Sequence, residues 1–294
     1  GSVSCYEAYR AGRPYAVWTD RVESEVVRRT ADTGPWRQRL KARLTHRPMA
    51  WLERHLIRRA ALGLFHGKET FDTYAPFCRQ PVVVHDIHIN KSEHIPDTAL
   101  QAKIAAAGAG PLKIGYVGRA DAMKGPMDWV AVLEALAAAG VDFEAFWMGD
   151  GPFTEKMQSR IDTGGLADRV KLLGFVRDRA EVLRRFRAAQ VFLFCHKTPE
   201  SPRCLIEALI SGTPIVGYDG SFASDLISGH QGGRLVSLDD VAGLKAALAE
   251  LAGDRAALAA LIAGAAKDGA PFDDESVFRH RSEVIRQYLG PETG

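Results

Sequence analysis

From residue 112 onward, short apolar runs alternate with longer stretches in which apolar positions recur every three or four residues. The runs at 113–117, 143–148, 170–173, 191–194 and 214–217 predict strands, and 233–236 adds a last short one. Between and after them, 127–139, 153–161, 180–187, 203–210, 241–251 and 255–266 read as helices. Strands this apolar, joined through helices by short connections, predict a parallel sheet covered on both faces, an α/β Rossmann-like domain. A final helix at 275–288 carries Val277, Phe278, Val284 and Ile285 on one side. The helix at 203–210 is expected to open with Ser201 as N-cap and Pro202 as its first residue, and to stop at Gly212.

The earlier part of the chain is less regular. Residues 15–18 predict a buried strand, 60–65 a helix end and 81–84 a strand, closing an α/β unit. The region 28–59 predicts one or two amphipathic helices with a break at Pro48. Pro96, an alanine-rich piece and Gly108-Ala109-Gly110-Pro111 mark 96–111 as an interdomain linker.

Composition narrows the class. With 294 residues, 46% hydrophobic and 25% charged, the chain has the length for two domains and the makeup of a globular protein. No apolar run reaches the roughly 20 residues a membrane-spanning helix needs. Cys5, Cys78, Cys195 and Cys204 form no C-x-x-C pair, which argues against structural zinc or a disulfide framework and for a reducing, cytoplasmic setting. The net charge of +2 hides one strongly basic region. Between 28 and 59, Arg28, Arg29, Arg37, Arg39, Lys41, Arg43, Arg47, Arg54, Arg58 and Arg59 face only Asp32 and Glu53. Such a stretch is either a solvated face or an attachment to an anionic membrane surface. Nucleic acid is not expected, since no recognisable module accompanies the charge.

Candidate chemistry gathers in the loops that follow the strands, where open α/β sheets bind ligands. After the first strand, Gly118 permits close backbone approach, and Arg119 and Lys124 offer two cations. Gly149-Asp150-Gly151 follows the second strand, and Gly174-Phe175-Val176 the third. After the fourth comes His196 to Ser201, then a helix start whose amides and dipole suit an anion. Glu200 and Glu207 flank that turn. Phosphate-binding amides beside hydroxyl-binding carboxylates suit a nucleotide sugar. His85 and His88, around Asp86, are read as lining a strand end rather than holding a metal.

These residues, in this order, resemble the nucleotide-sugar-binding half of the retaining glycosyltransferases of GT-B fold. Gly118-Arg119, Lys124-Gly125, Gly149-Asp150-Gly151, Leu173 to Val176, Glu200 to Leu209 and Gly212 to Val216 carry the resemblance. It implies two Rossmann-like domains with parallel sheets facing a cleft. The expected divisions are an acceptor-side domain at 1–95, incomplete at its start, the linker at 96–111, a donor domain at 112–273 and a helix at 274–294 crossing back. By the same resemblance Arg119 and Lys124 bind the donor diphosphate, Glu207 the ribose and Glu200 the donor sugar. The base would lie near Gly174, Phe175 and Val176, and the amides of Cys204, Leu205 and Ile206 would touch the phosphates. The two glutamates are separated by six residues where the family has seven.

The implied reaction moves a sugar from a nucleoside-diphosphate sugar to an acceptor hydroxyl with retention, without cofactor or metal. A glycan or lipid-linked acceptor in surface polysaccharide or glycolipid assembly would place the protein in the cytoplasm or peripherally on the inner membrane face. His85 and His88 would then belong to the acceptor side. A non-catalytic nucleotide-sugar-binding subunit, and an epimerase or phosphorylase of the same fold, are the alternatives.

Overall fold

The computed structural model describes residues 2–33, 36–85, 87–198 and 201–289. It forms two compact units, Gly1–Ile87 with Glu275–Gly294, and His88–Asp274. Glu200 and Asp86 lie outside the described residues.

The first unit runs α1 (Ser2–Arg10), β1 (Ala16–Thr19), α2 (Glu23–Thr33), α3 (Trp36–Ile57), β2 (Leu62–His66), α4 (Gly67–Tyr74) and β3 (Pro81–Val84). The three strands pair in parallel in the order β1-β2-β3. Residues 60–65, expected to end a helix, mostly form β2 instead. Its five positions are all buried, and a short apolar run of this kind carries no period to separate helix from strand. The break expected at Pro48 is also absent: α3 continues through it for 22 residues. Proline removes one backbone donor there, but α2 packs along α3. Glu53 of α3 secures the start of α2, accepting from the Ser24 N–H at 3.0 Å and the Ser24 hydroxyl at 2.6 Å.

The second unit contains α5 (Asp97–Ala106), β4 (Leu112–Val117), α6 (Pro126–Ala138), β5 (Phe143–Met148), α7 (Thr154–Thr163), β6 (Val170–Leu172), α8 (Arg179–Ala188) and β7 (Val191–Phe194). It continues through α9 (Arg203–Ile210), β8 (Ile215–Tyr218), α10 (Ser221–Leu226), β9 (Gly233–Val236), α11 (Val241–Gly253) and α12 (Arg255–Gly269). Its six strands are parallel in the order β6-β5-β4-β7-β8-β9. The chain starts in the middle, winds outward to β6, then returns to β7 on the other side of β4. The last helix, α13 (Asp274–Leu289), lies mostly in the first unit, where Val284 joins the cluster of Leu62, Leu64 and Val84.

The stretch 96–111 is not a free linker. It carries α5, which packs on α12 within the second unit. The Ile95 N–H donates to the Ile210 carbonyl at 2.8 Å. Lys103 reaches in to donate to the Thr213 hydroxyl at 2.6 Å and the Ser211 carbonyl at 3.2 Å. Burial, then the charge of Arg187, pushes the Lys103 amine well below its ordinary value. Alanine-rich composition concealed this anchoring, because the decisive contact comes from one long side chain and not from an apolar stripe.

Thr213 in turn donates to the Phe186 carbonyl at 2.6 Å. Thr213→Val keeps the shape but removes the buried hydroxyl that accepts from Lys103 and donates to the Phe186 carbonyl, at a cost of about 1–3 kcal/mol. Urea unfolding should show a lower midpoint with an unchanged slope; a midpoint equal to wild type would remove the anchoring role from this triad.

Candidate functional site

The strand order of the second unit reverses between β4 and β7, and there the strands are least joined. The β4–β5 ladder pairs six residues, from Leu112↔Phe143 to Val117↔Met148. The β4–β7 ladder pairs two, Ile114↔Val191 and Gly115↔Phe192. Beyond that ladder Tyr116 is buried, its ring 3.9 Å from that of Trp147 and 5.2 Å from that of Phe192. Its hydroxyl lies 2.8 Å from Nε2 of the buried His196, just past β7.

The loops around this point are tied to one another through the backbone. In the loop after β4, the Ala120 N–H donates to the Asp150 carbonyl at 3.1 Å, and the Ala120 carbonyl accepts from Phe153 at 3.0 Å. The Gly149 N–H donates to the Gly174 carbonyl at 2.8 Å. The Asp150 carboxylate accepts from the Phe175 N–H at 2.9 Å. On the other side, Lys197 N–H donates to the Met123 carbonyl at 2.8 Å. Two glycines make this closeness available. Gly149, at φ 137°, leaves no space for a side chain, since a Cβ would stand 2.1 Å from the Gly118 oxygen. At Gly125, φ 61°, a Cβ would stand 2.0 Å from the Cys195 oxygen.

Several predicted residues meet here. Arg119 is exposed, with no ion-pair partner among the described residues. Lys124 is half-buried, and close enough to His196 for its charge to matter. Burial first, then Lys124, holds the His196 imidazole well below its ordinary pKa. Phe175 is 68% exposed, and Val176 half-buried. The Thr198 hydroxyl is buried with no hydrogen-bond partner among the described residues.

The helix start differs in detail. α9 begins at Arg203 with Pro202 as N-cap, because Pro202 is extended at ψ 123°, so Pro202 is not the first helical residue and Ser201 not the cap. The Leu205 N–H is already bonded to the Pro202 carbonyl at 3.1 Å. Leu205 and Ile206 turn their side chains into the core at 1% exposure each, while Cys204 is half-buried. His85 is half-buried with its ring 6.1 Å from His66, whereas His88 is exposed and lies in the second unit. Burial, then His66 and His280, pushes His85 down to about 4. Among the described residues no cluster of His, Cys, Asp and Glu is suited to a metal ion, and no helix is long and apolar enough to cross a membrane.

Glu207 sits in an ion pair that composition could not reveal. Arg179, at the start of α8, donates to Glu207 at 2.5 Å and to Glu93 at 2.7 Å. Burial works against the charge on Glu93, yet the Arg179 hydrogen bond, the Asn90 backbone and the nearby Arg187 bring its carboxyl below the usual range. Lys197 forms a second network: it pairs with Asp128 and Asp239, and Asp128 accepts from the Tyr218 hydroxyl at 2.5 Å. Tyr116 and Arg179 carry no signal in the sequence, whereas Asp150 and His196 fall in the strand-end loops it picks out, without a role of their own.

Gly149→Ala should displace the Gly118 backbone and lower the melting temperature of the second unit; an unaltered melting curve would contradict the contact. His196 predicts acid sensitivity. Above pH ~6.5 the residue is neutral whether the chain is folded or not. Below it the unfolded chain takes up a proton that the folded site refuses, so stability falls by up to about 1.4 kcal/mol per pH unit. Chemical denaturation between pH 7 and 5 should give a shallower loss for His196→Gln than for wild type, and equal slopes would count against a neutral buried His196.

The glycosyl transferases group 1 family matches residues 111–254. A 2-deoxystreptamine N-acetyl-D-glucosaminyltransferase of Streptomyces fradiae is 30% identical over 233 residues, which are 77% of this chain and 55% of that protein. The lipopolysaccharide core biosynthesis mannosyltransferase LpsB of Rhizobium meliloti is 28% identical over 248 residues, 79% of this chain and 68% of that one. The chain thus spans about half the length of the first of these relatives. Among solved structures, HepE of Anabaena in complex with UDP aligns with a TM-score of 0.74 at 18% identity, covering 97% of this chain and 76% of that chain. The fold is that of GT-B glycosyltransferases, and residues 111–254 are similar to the glycosyl transferases group 1 family.

Proposed function

We propose that this protein transfers a sugar from a nucleoside-diphosphate sugar to an acceptor hydroxyl with retention of anomeric configuration. The observation that carries the reading is the arrangement at the β4–β7 reversal: Arg119 and Lys124 on one loop, and the start of α9 after the next. Crevices at such reversals bind nucleotides in open α/β sheets. The presence of UDP in the HepE structure is consistent with this choice of ligand.

In the proposed reaction the bond between the anomeric carbon and the diphosphate oxygen breaks, leaving negative charge on the diphosphate and an oxocarbenium-like sugar. Arg119 supplies a bidentate fork and Lys124 a point charge to the departing group. A neutral His196 leaves the positive charge of that corner on these two side chains. The departing phosphate oxygen takes the acceptor proton on the same face, so no protein base is required. Glu207, held through one oxygen by Arg179, offers the other to the ribose hydroxyls, and Phe175 with the Gly174–Val176 backbone flanks the base. The Cys204 amide faces the phosphates, and Glu200 keeps the donor-sugar role that the resemblance implies. The acceptor is a glycan or a lipid-linked sugar in polysaccharide, lipopolysaccharide or glycolipid assembly, and the basic region 28–59 contacts an anionic membrane surface.

A melting panel with UDP, GDP, ADP and their sugars tests the reading: one nucleotide family should raise the transition, and no shift from any at millimolar concentration would sink the donor site. Lys124→Ala should cut kcat/KM by roughly 10²–10³, the scale of losing one donor to a developing anion. Glu207→Gln should raise the donor KM more than it lowers kcat. Donor kinetics unchanged in both variants would refute the assigned roles.

A further inference from the structure

The C-terminal half of α3 and the turn after it line a groove of about 410 Å³, with Arg47, Trp51, Arg54, His55, Arg58 and Arg59 on its walls. Among the described residues none of these four arginines makes an ion pair with a carboxylate. Glu53, on the same helix, is turned to Ser24. Arg28, by contrast, is neutralised by Glu25 at 2.6 and 2.7 Å, so the uncompensated charge of the basic region is concentrated further along α3.

The guanidinium groups are nevertheless held in place. Arg54 and Arg58 lie 4.9 and 5.2 Å from the centre of the Phe77 ring, and Phe77 packs against the buried cluster of Ile57, Phe65 and Tyr74. Arg59 lies 5.0 Å from the Tyr9 ring and donates to the His55 carbonyl at 3.2 Å. Contact with a ring occupies the face of a guanidinium and leaves its in-plane N–H groups for an anion. Arg54 and Arg58 stand one turn apart, so they repel each other until an anion bridges them. Trp51 is 65% exposed at the groove, and Trp36, Leu40 and Leu44 are exposed at one-turn intervals along the same helix.

We infer that this groove is a phosphate-binding site, taking a phosphomonoester or diphosphate group on the forks of Arg54 and Arg58 while the attached moiety lies on Trp51 and the apolar row. Planar forks match phosphate oxygens in pairs. The inference specifies what the basic region contacts; it rests on the reading of that region as a surface for anions and is independent of the donor site.

The test titrates sn-glycerol 3-phosphate by calorimetry and, separately, sediments the protein with phosphatidylglycerol vesicles, using wild type and Arg54→Gln/Arg58→Gln. Wild type should bind at least one probe, and the double variant should lose at least about tenfold in affinity, the scale of one charge-assisted hydrogen bond. Its melting temperature and its nucleotide-induced shift should stay at the wild-type values. Loss on vesicles assigns the phosphate to a lipid headgroup, and loss confined to glycerol 3-phosphate assigns it to a soluble ester. Wild type failing to bind both probes, or the double variant matching wild type on both, overturns the groove. Vesicle binding that survives in the double variant leaves a membrane surface while removing this site from it.

Discussion

The second unit depends on one constraint: β4 must serve as neighbour to β5 and β7 while their connecting loops leave in opposite directions. Six residue pairs join it to β5 and two to β7. The short ladder leaves backbone and side-chain volume to be filled on the β7 side. Tyr116 fills it, stacked between Trp147 and Phe192 and reaching His196 with its hydroxyl. A polar pair this buried is tolerated because its members are hydrogen-bonded.

From that corner the rest of the site follows. His196 fixes the exit from β7, and the Lys197–Met123 hydrogen bond and the contact of Gly125 with Cys195 fix the loop after β4 against it. Gly149 and Asp150 carry the same tie outward to the loop after β6. The cations of the first loop therefore project from backbone that is hydrogen-bonded on both flanks. On the proposed mechanism that rigidity matters, since an electrostatic site works by being arranged before charge develops.

Much of the second unit could be read in the sequence, because its strands are apolar runs and its helices periodic. The glycines were legible too: Gly118 and Gly149 directly follow strands and Gly125 opens α6, at points where no side chain fits. What escaped were interactions between distant polar residues. Arg179 joins Glu93 to Glu207 across 86 and 28 residues of sequence, and no local pattern announces such a pairing. Lys103 was hidden in an alanine-rich stretch for the same reason, and α5 with it. In the first unit β2 was mistaken for the end of a helix because a buried five-residue run has no polar face to set a period.

The basic region illustrates the opposite case, in which the sequence supplies a feature and the fold divides it. Ten cations between 28 and 59 look uniform in sequence. Folded, Arg28 belongs to a local ion pair, while Arg54, Arg58 and Arg59 are gripped by Phe77 and Tyr9. A surface arginine gains little from an exposed ion pair and loses side-chain freedom in making one. Aromatic contact restrains it without neutralising it, so its charge stays available. Restraint without neutralisation is what separates the end of α3 from an ordinary solvated face, and it is achieved by two aromatic residues, Tyr9 and Phe77, that lie outside the basic region itself.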